Sequence, residues 1–181
     1  MKPIWLSLII VLFVVGCESN RRSPVDPYLA LLPAPNNAVR DNRIQDFIGL
    51  YNHLHDRPIA AATEKVYAER LYFNDTLVTL TTRRELIAYL EHTLEQLESI
   101  DLTVLDVLGK GDDLFVQWKM RTRFVVLGKR SDVQSVGISH LRFDGNGKIV
   151  LHQDYWDSTN GFFEHIPIFG GILQWIKNGL Y

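Results

Sequence analysis

The chain has 181 residues, 46% hydrophobic and 22% charged, which is typical of one globular domain with appendages. The formal net charge of −2 argues against nucleic acid as a partner, because a phosphate-binding face normally shows as a basic excess. There is no P-loop, no glycine fingerprint after a strand and no internal repeat, so we expect no cofactor.

The first 16 residues have the pattern of an export signal. Lys2 precedes an apolar run over Ile4 to Val15. This run is too short to span a bilayer, which needs about twenty residues, and it fits the central region of a signal peptide. The following "VVGC" resembles the lipobox of bacterial lipoproteins, which predicts cleavage before Cys17 and attachment of lipid, including palmitate, to that cysteine. The alternative is a plain signal peptide, or a short anchor, with an incidental cysteine.

Export would set the location of the protein and limit its chemistry. Loss of residues 1–16 removes Lys2, so the formal charge changes from −2 to −3. Cys17 is the only cysteine, and its lipidation would leave no thiol for a disulfide or for catalysis. We expect the protein in the bacterial cell envelope, lipid-anchored to a membrane, with the periplasmic side of the outer membrane as the first expectation.

A flexible tether is predicted between the anchor and the folded domain. Residues 18–40 contain four prolines and several small polar residues, so the predicted tether, with its lipidated cysteine, covers 17–40. Docking of "YLALL" on the domain is the alternative. The domain itself is predicted over 41–181.

Three helices are predicted at the start of the domain. Apolar residues recur at helical spacing from Asp41, which indicates the first helix. Pro58 suits the first turn of a second helix over 58–71. Thr82 and Glu85 have capping-box spacing, so a third helix is predicted over 82–99. The segment "LYFNDTLVTL" between them is short and β-prone.

After the third helix the pattern changes to period two, and four strands separated by short turns are predicted over 100–109, 113–127, 132–143 and 147–157. In the second of these strands, Trp118 and Met120 lie on one face and Lys119 and Arg121 on the other. This pattern predicts one buried face and one solvent-exposed face. Antiparallel strands after three helices indicate an α+β domain with a curved sheet packed on helices.

The last predicted strand carries the polar residues that raise the question of function. His152, Asp154 and Trp156 share one face, because residues two apart in a strand point the same way. Ile149, Leu151, Gln153 and Tyr155 are expected on the other face. The apolar pattern over 163–180 predicts a C-terminal helix that packs on the core or covers it, with a membrane-surface or dimer contact as the alternative.

The order of these elements, with "FNDT" after the second helix and "LRFDGNGKIVLHQDYWD" near the end, resembles the superfamily of nuclear transport factor 2, ketosteroid isomerase and SnoaL-like proteins over residues 41–160. Members form a cone, in which a curved antiparallel sheet wraps the N-terminal helices around a pocket. The resemblance implies that the inward face of the last strand borders this pocket. The implied lining, beside His152 and Asp154, is Tyr51, Trp118, Met120, Ser139, Leu141 and Trp156.

Comparison with ketosteroid isomerases implies one further candidate. Their catalytic aspartate follows the second helix, where this chain has Asp75. Their oxyanion-hole tyrosine and protonated aspartate correspond here to Phe47 and Ser139. Phenylalanine cannot donate a hydrogen bond, and serine is a weak substitute for a neutral carboxylic acid, so the comparison argues against steroid isomerisation.

Limonene epoxide hydrolases are similar at the end of the chain, where their "RDYFD" resembles "QDYWD". Asp154 then matches their inward aspartate, and Tyr72 and Asn74 match their water-holding pair. The stretch "QWKMRTR" lacks the carboxylate that these enzymes need beside an arginine, which argues against epoxide hydrolysis. SnoaL cyclases use a single inward aspartate as acid or base, and Asp154 would satisfy that role. The candidate catalytic residues are therefore Asp154, His152 and Asp75.

The expected function is binding of a small apolar molecule in the cone of an exported lipoprotein, with acid/base catalysis by Asp154 as an option. The alternative is a non-enzymatic interaction or assembly module with a filled pocket, and a cavity of about 300 Å3 or more would favour the first. The expected partners are that molecule and the membrane, with a homodimer as an option. No metal site is expected, because His53 and His55 face apart on a helix.

Overall fold

The computed structural model describes residues 25–34, 37–166 and 169–180. The predictions of a signal peptide and of a lipidated Cys17 concern residues outside this part of the chain. Within the described ranges, no helix has the length and apolar character needed to cross a membrane.

The helices of the described residues begin close to the predicted positions. Asp41 caps the first long helix by accepting a hydrogen bond of 2.8 Å from the Arg43 amide. Thr82 and Glu85 form the predicted capping box. In chain order, the helices are α1 (Asp26–Leu29), α2 (Asn42–Asn52), α3 (Ile59–Val66), α4 (Arg83–Leu94), α5 (Ser158–Gly161) and α6 (Phe169–Asn178), with 3₁₀ turns at Asn37–Arg40 and Phe163–His165.

The sheet has six strands in the order β2-β1-β6-β5-β4-β3. The neighbours β1 and β6 are parallel, and the other neighbours are antiparallel. The strands are β1 (Tyr67–Asn74), β2 (Thr79–Thr82), β3 (Leu97–Lys110), β4 (Asp113–Val126), β5 (Lys129–Phe143) and β6 (Ile149–Trp156). The register shifts in four of the five strand pairs, all but β4 with β5, and such bulges bend a sheet.

The hydrophobic core lies between the concave face of this sheet and the helices α2, α3 and α4. Each helix contributes the apolar stripe that its spacing predicts, since burial of such side chains is the main source of stability. The buried apolar residues of these three helices are Ile44, Phe47, Leu50, Ile59, Val66, Leu86 and Leu90. The predicted α+β cone, with a curved sheet around N-terminal helices and an additional C-terminal helix, is confirmed.

Three predicted helices are wrong in their boundaries. The helix predicted over 82–99 ends at Leu94, because β3 begins at Leu97. The second helix ends at Val66 rather than at 71, because Tyr67 begins β1 and pairs with Ile149 of β6. This long-range pairing overrides the helical tendency of "AERL".

Ile149 is fully buried rather than on the outer face, since the register shifts between Arg142 and Phe143 at the start of β6. The C-terminal helix begins as a 3₁₀ turn at Phe163, and α6 covers only part of 163–180.

Part of the predicted tether packs on the domain. Val25 is buried, and Gln134 Nε2 donates a hydrogen bond of 3.4 Å to Asp26 Oδ1. Gln117 Nε2 donates to the Tyr28 hydroxyl. Val25, Asp26 and Tyr28 therefore contact β4 and β5, and of these only Tyr28 belongs to "YLALL", in which Leu31 is exposed.

Candidate functional site

The cone contains a cavity of about 600 Å3 that opens to the surface. Its walls are largely apolar and aromatic and come from the sheet, from α4 and from the turns after β6. Six of the sequence candidates line it, and they are Tyr51, Asp75, Trp118, Met120, Asp154 and Trp156.

Gly137 on β5 allows the two tryptophans of this wall to approach each other. A Cβ atom at this position would lie 2.4 Å from the Trp118 ring and 2.8 Å from Cβ of Trp156. Both distances are far below van der Waals contact, so a side chain on Gly137 would displace the wall of the cavity.

Asp154 is the carboxylate that the sheet presents to the cavity. Its Oδ1 accepts a hydrogen bond of 2.5 Å from Ser139 Oγ and lies 2.7 Å from His152 Nε2. Trp118 Nε1 donates to Ser139 Oγ at 2.9 Å, which fixes the serine oxygen from behind. Oδ2 of Asp154 has no hydrogen-bond partner among the described residues. One oxygen is therefore held by the protein, and the other can meet a bound molecule.

His152 continues this network into the core. It is only 1% exposed and does not line the cavity. Its Nδ1 lies 2.6 Å from the Tyr67 hydroxyl, which lies 3.2 Å from the Tyr51 hydroxyl. A carboxylate oxygen can only accept, so with Asp154 ionised the network assigns the proton of His152 to Nε2. Nδ1 then accepts from Tyr67, and Tyr67 accepts from Tyr51.

The two tyrosines are held as hydrogen-bond donors. Burial raises the pKa of the Tyr51 hydroxyl well above its usual value, and the neighbouring Tyr67 and Asp154 add to this rise. Burial is also the main reason why the pKa of Tyr67 is raised. Both hydroxyls keep their protons over the physiological pH range, so the sequence of donors from Tyr51 to Asp154 is preserved.

Asp75, the other candidate carboxylate at the cavity, is engaged on both oxygens. Oδ2 accepts a hydrogen bond of 2.5 Å from the Tyr89 hydroxyl. Oδ1 accepts bonds of 3.0 Å from the backbone amides of Leu77 and Val78. These contacts anchor the turn between β1 and β2. The geometry therefore favours a structural role for Asp75 and leaves Asp154 as the carboxylate with a free oxygen.

Two predicted pocket residues lie outside the cavity. Tyr72 is exposed and its hydroxyl donates to Gln153 Oε1 at 3.3 Å. Asn74 donates a hydrogen bond to Thr79 and accepts one from Gln153. Both residues share the face of β1 opposite to Phe73, which is buried in the core. The match with epoxide hydrolases placed them by sequence alone, and the pairing of β1 with β6 turns them outward.

Two more predicted pocket residues stand behind the lining. Ser139 is 1% exposed and acts through its bond to Asp154. Leu141 is fully buried in the sheet opposite His152. Neither lines the cavity.

The sequence interpretation missed Tyr67 and Tyr89. The helix predicted over 58–71 includes Tyr67, although a period of two over "YAERLYFN" places Tyr67, Leu71 and Phe73 on one buried face. No sequence pattern distinguished Tyr89 as a site residue, because it lies among the apolar residues of α4. Burial raises the pKa of the Tyr89 hydroxyl, with the charge of Asp75 as the next cause.

This arrangement can move a proton. A carboxylate with one fixed oxygen and one free oxygen in an apolar cavity is suited to general acid or base catalysis. Within the described residues, no three His, Cys, Asp or Glu side chains converge on a common point that could hold a metal ion.

The family model of the SnoaL-like domain matches residues 48–152, more than half of the chain. No curated protein matches the sequence.

Solved structures share the fold at low sequence identity. A candidate SnoaL-like polyketide cyclase from Shewanella denitrificans is 21% identical with a TM-score of 0.57, over 67% of this chain and 94% of that one. A Catenulispora acidiphila protein with a ketosteroid isomerase-like fold, in complex with trimethylamine, is 16% identical with a TM-score of 0.58, over 70% and 93%. An epoxide hydrolase of the limonene type from M. tuberculosis is 14% identical with a TM-score of 0.53, over 67% and 84%. These likenesses show the fold alone, and with the match of the family model they establish that the chain belongs to the SnoaL-like domain family.

Proposed function

We propose that the protein is an exported lipoprotein, anchored through Cys17, whose SnoaL-like domain binds a small, largely apolar molecule. The observation that carries the proposal is the cavity of about 600 Å3 with a carboxylate oriented inside it. Pockets for small molecules have volumes of about 300–1,000 Å3 and combine apolar walls with a few placed polar groups. The volume argues against the alternative, an assembly module with a filled pocket.

Acid/base catalysis is the chemistry that the site supports best. A carboxylate can take a proton from carbon next to a carbonyl group. The electron pair of the C–H bond then forms a C=C bond, and the π pair of the carbonyl group moves to its oxygen. Oδ2 of Asp154 would accept this proton and return it at another position of the same molecule. The bonds from Ser139 and His152 would keep Oδ1 in place throughout. Ring closure and isomerisation both fit this scheme, in keeping with the reaction classes named for proteins of this fold.

Occlusion of the cavity tests binding. We expect Met120→Trp to fill the cavity and to abolish retention of the molecule that the wild-type protein carries from its cell extract, as identified by native mass spectrometry. Lys119→Trp is the matched control, because Lys119 is the next residue on β4 and points to the outer face. Thermal unfolding would verify that both variants fold. A wild-type protein that retains no small molecule, or equal retention by both variants, would contradict binding.

Asp154→Asn tests the chemical role in the same experiment. The amide oxygen can keep the bonds from Ser139 and His152, so we expect folding and retention of the molecule. The bound molecule should no longer exchange its acidic hydrogens with deuterated water, because the amide that replaces the Asp154 carboxylate is not a base at neutral pH. Unchanged exchange in Asp154→Asn would remove the catalytic part of the proposal and leave binding intact.

A further inference from the structure

The helix α6 carries an apolar face that the described residues leave largely exposed. Five large side chains fall on one side of the helix and of the turn after it, and they are Phe169, Ile172, Trp175, Ile176 and Leu180. Trp175 is 77% exposed and Leu180 is 75% exposed. A continuous apolar surface of this kind marks an interaction site, because soluble proteins rarely expose one without use.

The opposite side of α6 is the one that contacts the domain. Gly170 is buried against the backbone of Glu164, and a Cβ atom there would lie 2.2 Å from the Glu164 carbonyl oxygen. Lys177 bonds to the carboxylate of the same Glu164. The glycine and the lysine therefore fix the helix to the turn at Phe163–His165, and this leaves the apolar face pointing outward.

The N-terminal segment leaves the domain at the same end. Val25, the first described residue, lines a small pocket of about 140 Å3 together with Asp157 and Asn160 at the start of α5. The carbonyl of Asn160 in turn accepts a hydrogen bond of 3.0 Å from His165 in the turn that supports α6. The point where the chain continues toward Cys17 and the base of α6 are therefore joined through α5.

The length of the remaining chain limits how far this end can be from a lipid anchor. The segment from Cys17 to Val25 can extend to at most about 28 Å. A lipid on Cys17 would therefore hold α5 and α6 close to the bilayer surface. The large cavity reaches the same region, since Gly161, Phe162 and Phe163 line it.

We propose that α6 lies in the interface of the bilayer, with its five exposed apolar side chains seated between headgroups and acyl chains. An amphipathic helix with aromatic and aliphatic residues on one face binds in this way, and tryptophan favours this depth. This proposal rests on the lipid anchor of the proposed function. A lipid on Cys17 would place the bilayer next to α6 in every molecule of the protein. No feature of the described residues orients a second molecule of the protein toward α6.

Site-specific labels in lipid vesicles test the proposal on the full chain. Cys17 is blocked once it carries lipid, so a single new cysteine can hold an environment-sensitive fluorophore. The positions are Ile172→Cys and Ile176→Cys on the apolar face, with Gln174→Cys on the opposite face as the control. In vesicles of phosphatidylethanolamine and phosphatidylglycerol, we expect blue-shifted emission and several-fold greater quenching by spin-labelled lipids at positions 172 and 176 than at 174.

Equal quenching at the three positions, or none, would overturn the seating of α6. Labels at 172 and 176 that are shielded from the lipid quencher but quench one another between copies would show a second copy on this face, and would also overturn it. The mass of each labelled chain distinguishes these results from failure of the anchor. A chain with the added lipid mass but no quenching refutes only the role of α6, and a chain without that mass refutes the anchor itself.

Discussion

At the residue scale, the network behind Asp154 is the feature that most constrains the site. We expect Tyr67→Phe to leave both the Nδ1 atom of His152 and the Tyr51 hydroxyl without this buried partner. An unsatisfied buried polar group costs about 1–3 kcal/mol. For a domain of this size, we therefore expect a fall in Tm of about 2–10 °C, measured by thermal unfolding.

Tyr72→Phe is the matched control for this prediction. Tyr72 lies on the same strand, but it is exposed and its hydroxyl bonds weakly to Gln153 at 3.3 Å. We expect no measurable change in its Tm. A fall for Tyr72→Phe as large as that for Tyr67→Phe, or no fall for Tyr67→Phe, would show that the buried network does not contribute to stability as argued.

The sequence predicted one half of this network and missed the other for a physical reason. His152 and Asp154 belong to the regular alternation of β6, so their common face followed from period two. The partner Tyr67 is 85 residues away from His152 along the chain. Its position depends on the pairing of β1 with β6, and such a pairing is decided by tertiary packing that no local pattern records.

At the element scale, a charge cluster joins the outer faces of β4 and β5. Asp132 accepts hydrogen bonds of 2.8 Å from Arg121 and 2.9 Å from Arg123. The bond from Arg121 is the largest cause that lowers the pKa of Asp132 from 3.8 to about 2. Because the folded state lowers this pKa, the pair stabilises the protein above pH 3.8, and the stabilisation is lost as the pH falls toward about 2.

We expect Asp132→Asn to lower the free energy of unfolding slightly at pH 7, by about 1 kcal/mol or less, since these side chains are largely exposed. The difference from the wild-type protein should shrink between pH 4 and pH 2, measured by denaturant unfolding at each pH. Glu91→Gln, on the exposed side of α4, is the control and should show no such trend. A difference that stays constant down to pH 2 would contradict the role of the Asp132 charge.

At the scale of the whole molecule, the fold could be predicted because the helical and the strand patterns of the sequence indicate the same architecture. Helical stripes are followed by four strands with period two, and only a sheet wrapped on helices buries both patterns. The cavity could be inferred only from the resemblance, since its volume depends on how far the bent sheet stands from α2 and α4. The docking of Val25 and Asp26, which precede "YLALL", could not be predicted, because a short segment rich in proline has no hydrophobic periodicity.

The anchor is the remaining whole-molecule prediction. In the lipobox interpretation, the thiol of Cys17 carries the lipid, and serine cannot form the same thioether. We expect Cys17→Ser to keep the signal segment, to lack the lipid mass and to lose stable attachment to membranes, as measured by mass spectrometry and by fractionation of cells. The cavity and the network around Asp154 lie in a separate part of the chain, so the variant should still retain the small molecule of the wild-type protein. An unchanged mature mass together with unchanged membrane attachment would refute the anchor, and with it the reason to place α6 at a bilayer.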